Sequence, residues 1–142
     1  NVSRFSQMKL LELRGFRVYN SFEGWEGLHG LEHLNISKTT LDRRILDTIS
    51  KFTKLLTLNV AHAKVSDRLL DLFITNNQSL EEIDIEGLRF ITHDTFLLIS
   101  QLPHLRSLKL SHILCGTLYE MSPMPNLEFL ACWGLDDIDY AL

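Results

Sequence analysis

The chain has 142 residues, a length that suits one domain, and its 45% hydrophobic and 23% charged residues are ordinary for a soluble globular protein. Its formal net charge of -4 gives no reason to expect nucleic acid as a partner, because nucleic acid usually requires a basic face. No apolar run approaches the roughly 18 residues that a membrane-spanning helix needs, so no membrane partner is expected.

The chain starts with Asn1 and shows no signal-peptide pattern, so we expect a processed chain or a fragment of a larger protein. Its only cysteines, Cys115 and Cys132, have no spacing motif, which favours reduced, packed thiols in a cytoplasmic or nuclear protein. Glycosylation sequons begin at Asn1, Asn35 and Asn77. They either arose by chance or indicate a secreted protein.

The apolar pattern L-x-x-L-x-x-L-x-L-x-x-apolar recurs six times, with equivalent anchors separated by 23, 24, 25, 25 and 22 residues. This period and core predict leucine-rich repeats. The L-x-L part is a short strand whose alternate side chains point inward. One repeat cannot bury its own apolar face, so the repeats must stack. The anchors are Met8, Leu31, Leu55, Leu80, Leu105 and Leu127.

The segments that return the chain from one strand to the next differ in pattern. The first, 17–27, contains Gly and no helical stripe, so it predicts a loop or a single turn. The next three each contain a hydroxyl residue followed closely by Asp and then apolar residues at helical spacing, which predicts three helices. The fifth, 114–125, is broken by Gly116 and two prolines and predicts a loop. The expected helix-capping residues are Thr40, Ser66 and Thr92.

The strand core followed by V-S-D (65–67) or I-T-H-D (91–94) resembles the leucine-rich repeats of eukaryotic ubiquitin-ligase substrate receptors. F-box proteins and Zyg-11-like adaptors of cullin-2 ligases are two such groups, and LNISKTTLDRRILDTISKF is more similar to the second. The resemblance implies substrate recognition, with cullin-type ligase subunits among the partners. No F-box or cullin-binding segment is visible. Many such repeats have Cys or Asn where this chain has Phe16, Thr39, Ala63, Leu88, Ile113 and Leu135.

The predicted fold is α/β, a single leucine-rich repeat domain over 1–142 that forms a right-handed solenoid. A parallel sheet of about six short strands forms its concave face, and helices and loops form its convex face. The predicted function is protein binding: the concave sheet would bind a partner or substrate protein. No enzymatic activity is expected, because the sequence has no nucleophile, phosphate-loop or metalloprotease motif.

In this fold the residues that alternate with the strand leucines lie on the concave sheet. Repeat four is acidic there and repeat five is basic, so the two either pair across adjacent strands or the acidic repeat binds a Lys- and Arg-rich peptide. Phe129 and Trp133 are either covered by a further repeat or form a binding hot spot. We expect Glu82, Asp84 and Trp133 to be exposed. The predicted partner-binding residues are Glu12, Arg14, His33, Asn35, Asn59, His62, Glu82, Asp84, Glu86, Lys109, His112, Phe129 and Trp133.

No cofactor and no metal site are expected. His62 and His112 occupy equivalent positions two repeats apart, so roughly 10 Å separates their strands, too far for a shared metal without further ligands. The acidic residues near the C-terminus most simply form a solvated end. They are Asp136, Asp137 and Asp139.

Two other functions stay open: a structural spacer that makes contacts through its helices or ends, and a secreted recognition domain that glycans would favour. Asn35 argues against the second, because a glycan on the concave face would block binding. The first and last repeats lack the polar caps that such folds normally carry. Open strand edges associate readily, so the chain is expected to continue in its parent protein or to associate end to end.

Overall fold

The computed structural model describes residues 5–18, 25–88, 91–111 and 122–134. In this part of the chain, short strands alternate with helices or turns. The strands are β1 (Leu10–Glu12), β2 (Arg17–Val18), β3 (His33–Asn35), β4 (Thr40–Leu41), β5 (Thr57–Asn59), β6 (Glu82–Asp84), β7 (Ser107–Ser111) and β8 (Phe129–Trp133). The helices are α1 (Arg43–Ile49), α2 (Asp67–Asn76) and α3 (His93–Ser100), with a 3-10 helix over Trp25–Gly27.

Six strands form one parallel sheet in the order β1-β3-β5-β6-β7-β8. Their register aligns equivalent positions of successive repeats; for example, Leu34 lies between Leu11 and Leu58. The same register continues through Ile83 and Leu108 in the next two repeats. The predicted parallel sheet of six strands is therefore confirmed, and the fold is an α/β repeat fold.

The three predicted helices are confirmed, but one predicted cap is wrong. Thr40 lies in β4, which pairs in parallel with β2 in a second, two-stranded sheet that the sequence pattern did not indicate. Asp42 caps α1 instead, because its Oδ1 accepts a hydrogen bond of 3.0 Å from the N–H of Ile45. A carboxylate at this position satisfies an otherwise unpaired helical donor.

The other helix starts and the first return agree with the sequence patterns. Ser66 and Thr92 are the N-cap residues of α2 and α3, and the Thr92 hydroxyl accepts from the Thr95 N–H at 3.4 Å. The 3-10 helix over Trp25–Gly27 is the single turn expected in the first return. The loop expected in the fifth return lies largely outside the described residues, which resume at Ser122.

The core lies between one face of the large sheet and the helices. The inward strand residues Leu34, Leu58 and Ile83 are buried in one apolar cluster with Phe73 of α2 and Phe96 of α3. The sheet face opposite this core carries the alternate strand residues, and we call it the open face. In the part of the chain that the structure describes, no helix is both long and apolar enough to cross a membrane.

Candidate protein-interaction surface

The open face consists mainly of two columns of side chains, each with one residue from every strand of the large sheet, and Trp133 extends it at the end of β8. A shallow groove of about 210 Å³ lies over both columns from β1 to β7. The first column contains Leu10, His33, Thr57, Glu82, Ser107 and Phe129. The second contains Glu12, Asn35, Asn59, Asp84, Lys109 and Ala131.

The middle of the second column has a structural role that the sequence pattern did not reveal. The Oδ1 atoms of Asn35, Asn59 and Asp84 each accept a hydrogen bond from the backbone N–H two residues later, at 3.1, 3.0 and 3.2 Å. Side chains of this type stabilise turns in this way. Asn35 is buried, and the Asp84 side chain is only 16% exposed, so the exposure expected for Asp84 is wrong.

Polar contacts also connect the second column across adjacent repeats. The Nδ2 of Asn59 donates to Oδ2 of Asp84 at 3.2 Å, and Nζ of Lys109 lies 3.8 Å from the same oxygen. This geometry agrees with the interpretation that repeats four and five pair across the sheet. Asp84 thus already has partners within the chain, whereas Glu82 in the first column is exposed.

The first column is the more accessible of the two. Its Glu82 is exposed, as expected, and Leu10 and Phe129 at its two ends are 55% and 50% exposed. Near the middle, Nδ1 of His33 lies 3.0 Å from the Thr57 hydroxyl, so this half-buried ring already has a partner in the next repeat. A protein that lies on the open face would therefore contact mainly the first column.

A third set of equivalent residues follows each strand and forms a left-handed turn. Every described member of this set has a positive φ, including Lys38 at 57° and His62 at 54°. The His62 ring is exposed and lies above Gly87, and its Nε2 is 3.8 Å from Oε1 of Glu86. His62 therefore contributes to the packing of one turn on the next. Its equivalent, His112, lies outside the described residues.

Replacing Gly87 by Ala is expected to destabilise the protein more than replacing Gly15 by Ala. Both glycines have left-handed backbones, with φ of +75° and +72°, which costs an L-residue about 1–2 kcal/mol. Only at Gly87 would the new Cβ collide with a side chain, 2.0 Å from Nδ1 of His62; at Gly15 it meets nothing within 4 Å. Urea denaturation of both variants measures the difference.

The His62→Ala background provides the control for this steric explanation. Without the ring, Gly87→Ala should cost no more than Gly15→Ala. Equal losses for the two glycine variants in the native background would show that the ring moves aside at no cost, and would contradict the packing role of His62.

Two ion pairs lie next to the first column and join residues that come directly before the strands. Nζ of Lys9 donates to Glu32 at 2.5 Å, and Nη2 of Arg106 donates to Glu128 at 2.8 Å. The hydrogen bond from Lys9 lowers the pKa of Glu32, and the hydrogen bond to Glu128 raises the pKa of Arg106. Exposed pairs of this kind add little stability.

The exposed large apolar side chains concentrate at the two ends of the sheet. Trp133 is 61% exposed, as expected, and Arg14 at the opposite end is also exposed, with Nη2 3.8 Å from Oε1 of Glu12. Apart from Leu72 on α2, every such side chain among the described residues belongs to a terminal repeat. They are Phe5, Leu10 and Phe16 at one end and Phe129, Leu130 and Trp133 at the other.

Two sequons fall on buried asparagines. Asn35 is 9% exposed and Asn77 only 1%, and both side chains are hydrogen-bonded to the backbone. A glycan on either would require local unfolding, so these two sequons do not support the secreted alternative. The third, at Asn1, lies outside the described residues, as does the acidic segment 136–139.

The described ranges contain no group of three or more His, Cys, Asp or Glu residues that could hold a metal ion. Of the two cysteines, Cys132 is a half-buried thiol in β8, whereas Cys115 lies outside these ranges.

Comparison with known proteins identifies the fold but not a family. No protein-family model matches the chain, and no curated protein matches it. Among solved structures, the chain is similar to an internalin (inlF) from Listeria monocytogenes, with a TM-score of 0.67 and 17% sequence identity. The match covers 91% of this chain and 36% of the internalin chain. Because internalins are leucine-rich repeat proteins, the likeness supports a leucine-rich repeat fold.

Proposed function

We propose that this chain is a protein-interaction module that binds a partner protein through the open face of its sheet. The observation that carries the proposal is the continuous register of six parallel strands. One face of this sheet packs on the core, and the other is covered by no helix of the described residues. In this proposal the repeats form a right-handed solenoid, and the open face is its concave surface.

The dimensions of the open face fit this role. Six strands about 4.8 Å apart give a sheet roughly 24 Å wide, enough for much of one partner's share of a standard interface. Its first column is accessible and chemically mixed, with Glu82 in the interior and Phe129 at the edge. Exposed aromatic residues such as Trp133 are favoured as anchors at protein interfaces.

Substrate recognition within a ubiquitin ligase is a narrower form of this proposal. It rests only on the resemblance of the 65–67 and 91–94 helix starts to those receptors. Cullin-type partners and a cytoplasmic or nuclear location likewise stay predictions. The partner-binding residues predicted from the sequence stay predictions too, and the exposure of Glu82, Phe129 and Trp133 supports these three among them.

Affinity purification from the parent cell, followed by mass spectrometry, tests the open face. The test variant combines Glu82→Lys with Trp133→Ala, one charge reversal and one exposed hydrophobic truncation. Asp84 is left unchanged, because its side chain holds a turn and replacing it would disturb the fold. The matched control combines Asp47→Lys with Leu72→Ala on the exposed side of α1 and α2.

The proposal predicts that the native chain and the helix-side control recover a shared protein that the open-face variant loses. Recovery of that protein by the open-face variant, with loss from the control, would transfer the binding site to the helices. Every substituted side chain is exposed, so all three chains should keep the same fold. Circular dichroism checks this expectation.

A further inference from the structure

A groove of about 320 Å³ lies between α1 and α2, on the side of the sheet opposite the open face. We call it the helix groove, and its lining includes Arg43, Leu46, Asp47, Arg68, Leu69 and Leu72. The space stays open because α2 packs more closely against α3 than against α1. Leu72 is 41% exposed and is the one large exposed apolar side chain of the described residues outside the terminal repeats. The helix groove therefore leaves apolar surface uncovered in the middle of the domain.

The cations at the helix groove lack carboxylate partners. Arg43 and Arg68 line it, Arg44 is adjacent, and all three side chains are exposed. None of the three has an ion-pair partner within the described residues, whereas Arg106 and Lys109 on the sheet side lie 2.8 and 3.8 Å from a carboxylate oxygen. All three arginines lie in the first turn of their helices, where the helix dipole disfavours a cation. A carboxylate from outside the chain would offset this unfavourable charge.

The nearby carboxylates of α2 face the other way. The Thr95 hydroxyl donates to Oδ1 of Asp71 at 2.7 Å, and Asp67 faces the backbone of Thr92, so both carboxylates lie toward α3. Among the described residues, Asp47 is the one carboxylate that lines the helix groove. Residues 38–68 hold seven of the chain's 14 Lys and Arg residues and three of its 18 Asp and Glu residues. The surroundings of the helix groove are thus positive, although the whole chain has a net charge of -4.

We infer that the helix groove binds an acidic segment of a partner protein, one in which a bulky apolar residue lies between Asp or Glu residues. The apolar residue contacts Leu69 and Leu72, and the flanking carboxylates pair with Arg43 and Arg68. The leucines favour a peptide over a nucleic acid, because a phosphate backbone would leave the apolar lining uncovered. The helix groove and the open face lie on opposite sides of the sheet, so this inference does not depend on the function proposed above.

Phage display of short random peptides against the full 142-residue chain tests the inference. Selection takes place with an excess of a soluble variant that combines Arg68→Glu with Leu72→Ser, so phage that bind outside the helix groove are removed. The peptides that remain should be enriched in Asp and Glu around Leu, Ile or Phe. A selection that yields no such groove-dependent peptide overturns the inference, and so does one whose peptides have no excess of acidic residues.

Fluorescence polarisation of one selected peptide then measures the contribution of each side chain. Arg43→Glu or Arg68→Glu should weaken binding roughly fivefold, since each replaces an exposed attraction by a repulsion. Asp47→Asn should tighten binding about twofold, because it removes a repulsion from the helix groove. A gain of affinity cannot result from damage to the fold, and circular dichroism checks the fold of the variants that lose affinity.

Lys54→Glu is the matched control, because it makes the same change of charge at an exposed lysine just before β5, away from both helices. It should leave the affinity nearly unchanged. An equal loss with Lys54→Glu and Arg68→Glu would mean that the peptide responds to net charge alone, which overturns the helix groove as its site. Displacement of the peptide by an equal concentration of a single-stranded oligonucleotide would overturn the choice of a protein partner.

Discussion

Replacing Asn77 by Ala should lower the free energy of unfolding by about 3–5 kcal/mol, because it leaves several buried backbone groups without partners. The Asn77 side chain is 1% exposed. Its Oδ1 accepts from the Leu55 N–H at 2.8 Å, and its Nδ2 donates to the carbonyls of Phe52 and Phe73, each at 2.8 Å. One side chain thereby connects the end of α2 to the segment that enters β5.

Asn126→Ala is the matched control for this prediction. Asn126 is exposed and its Nδ2 makes one hydrogen bond of 2.8 Å, to the Pro103 carbonyl, so its loss should cost about 1 kcal/mol or less. Urea denaturation followed by circular dichroism measures both variants. If Asn77→Ala costs no more than Asn126→Ala, Asn77 does not connect these segments in the way described.

Replacing Phe73 by Ala should cost about 3–5 kcal/mol, the range for a large core side chain whose cavity cannot fully collapse. Phe73 is 0% exposed and belongs to the same apolar cluster as Leu58 and Ile83 of the sheet. Its removal would leave a cavity between α2 and the strands that it covers. Such a loss is a large part of the 5–15 kcal/mol that stabilises most domains.

Leu72→Ala is the control for the Phe73 prediction, since Leu72 is the preceding residue of the same helix and is 41% exposed. It should cost well under half as much, because most surface substitutions change stability by about 0.5 kcal/mol or less. Similar losses for the two variants would mean that α2 does not bury the face that we describe.

The strand register could be predicted from the sequence because it depends on spacing alone. The anchors recur every 22–25 residues, and the alternation of inward and outward side chains follows from the pleat. Aligning the anchors places Glu82 beside Ser107 and Asp84 beside Lys109, which is the pairing observed. Three middle helices also followed from their apolar spacing.

The roles of individual polar residues could not be predicted in the same way. Asn35, Asn59 and Asp84 have the composition of a binding surface, yet their oxygens accept turn N–H groups. Nothing in the sequence distinguishes these two uses of the same side chain. Asn77 likewise begins a sequon, and only the folded chain shows that its amide is buried between two segments.

The recurrence of glycine after the strands could have predicted the left-handed turns from the sequence. Glycine recurs in the turn after the strand at Gly15, Gly87 and Gly134, which points to a left-handed backbone there. The same position in other repeats holds Lys38 and His62, so a left-handed turn could have been expected for them as well. The two-residue strands β2 and β4 gave no such signal, because they are too short for an alternating pattern.

Hydroxyl-radical footprinting of the purified complex against the free chain tests whether the open face binds the partner. Binding through this face should protect His33, Phe129 and Trp133 from oxidation, while Leu72 on α2 reacts equally in both states. Protection of Leu72, with the open-face residues reacting as in the free chain, would instead place the interface on the helices.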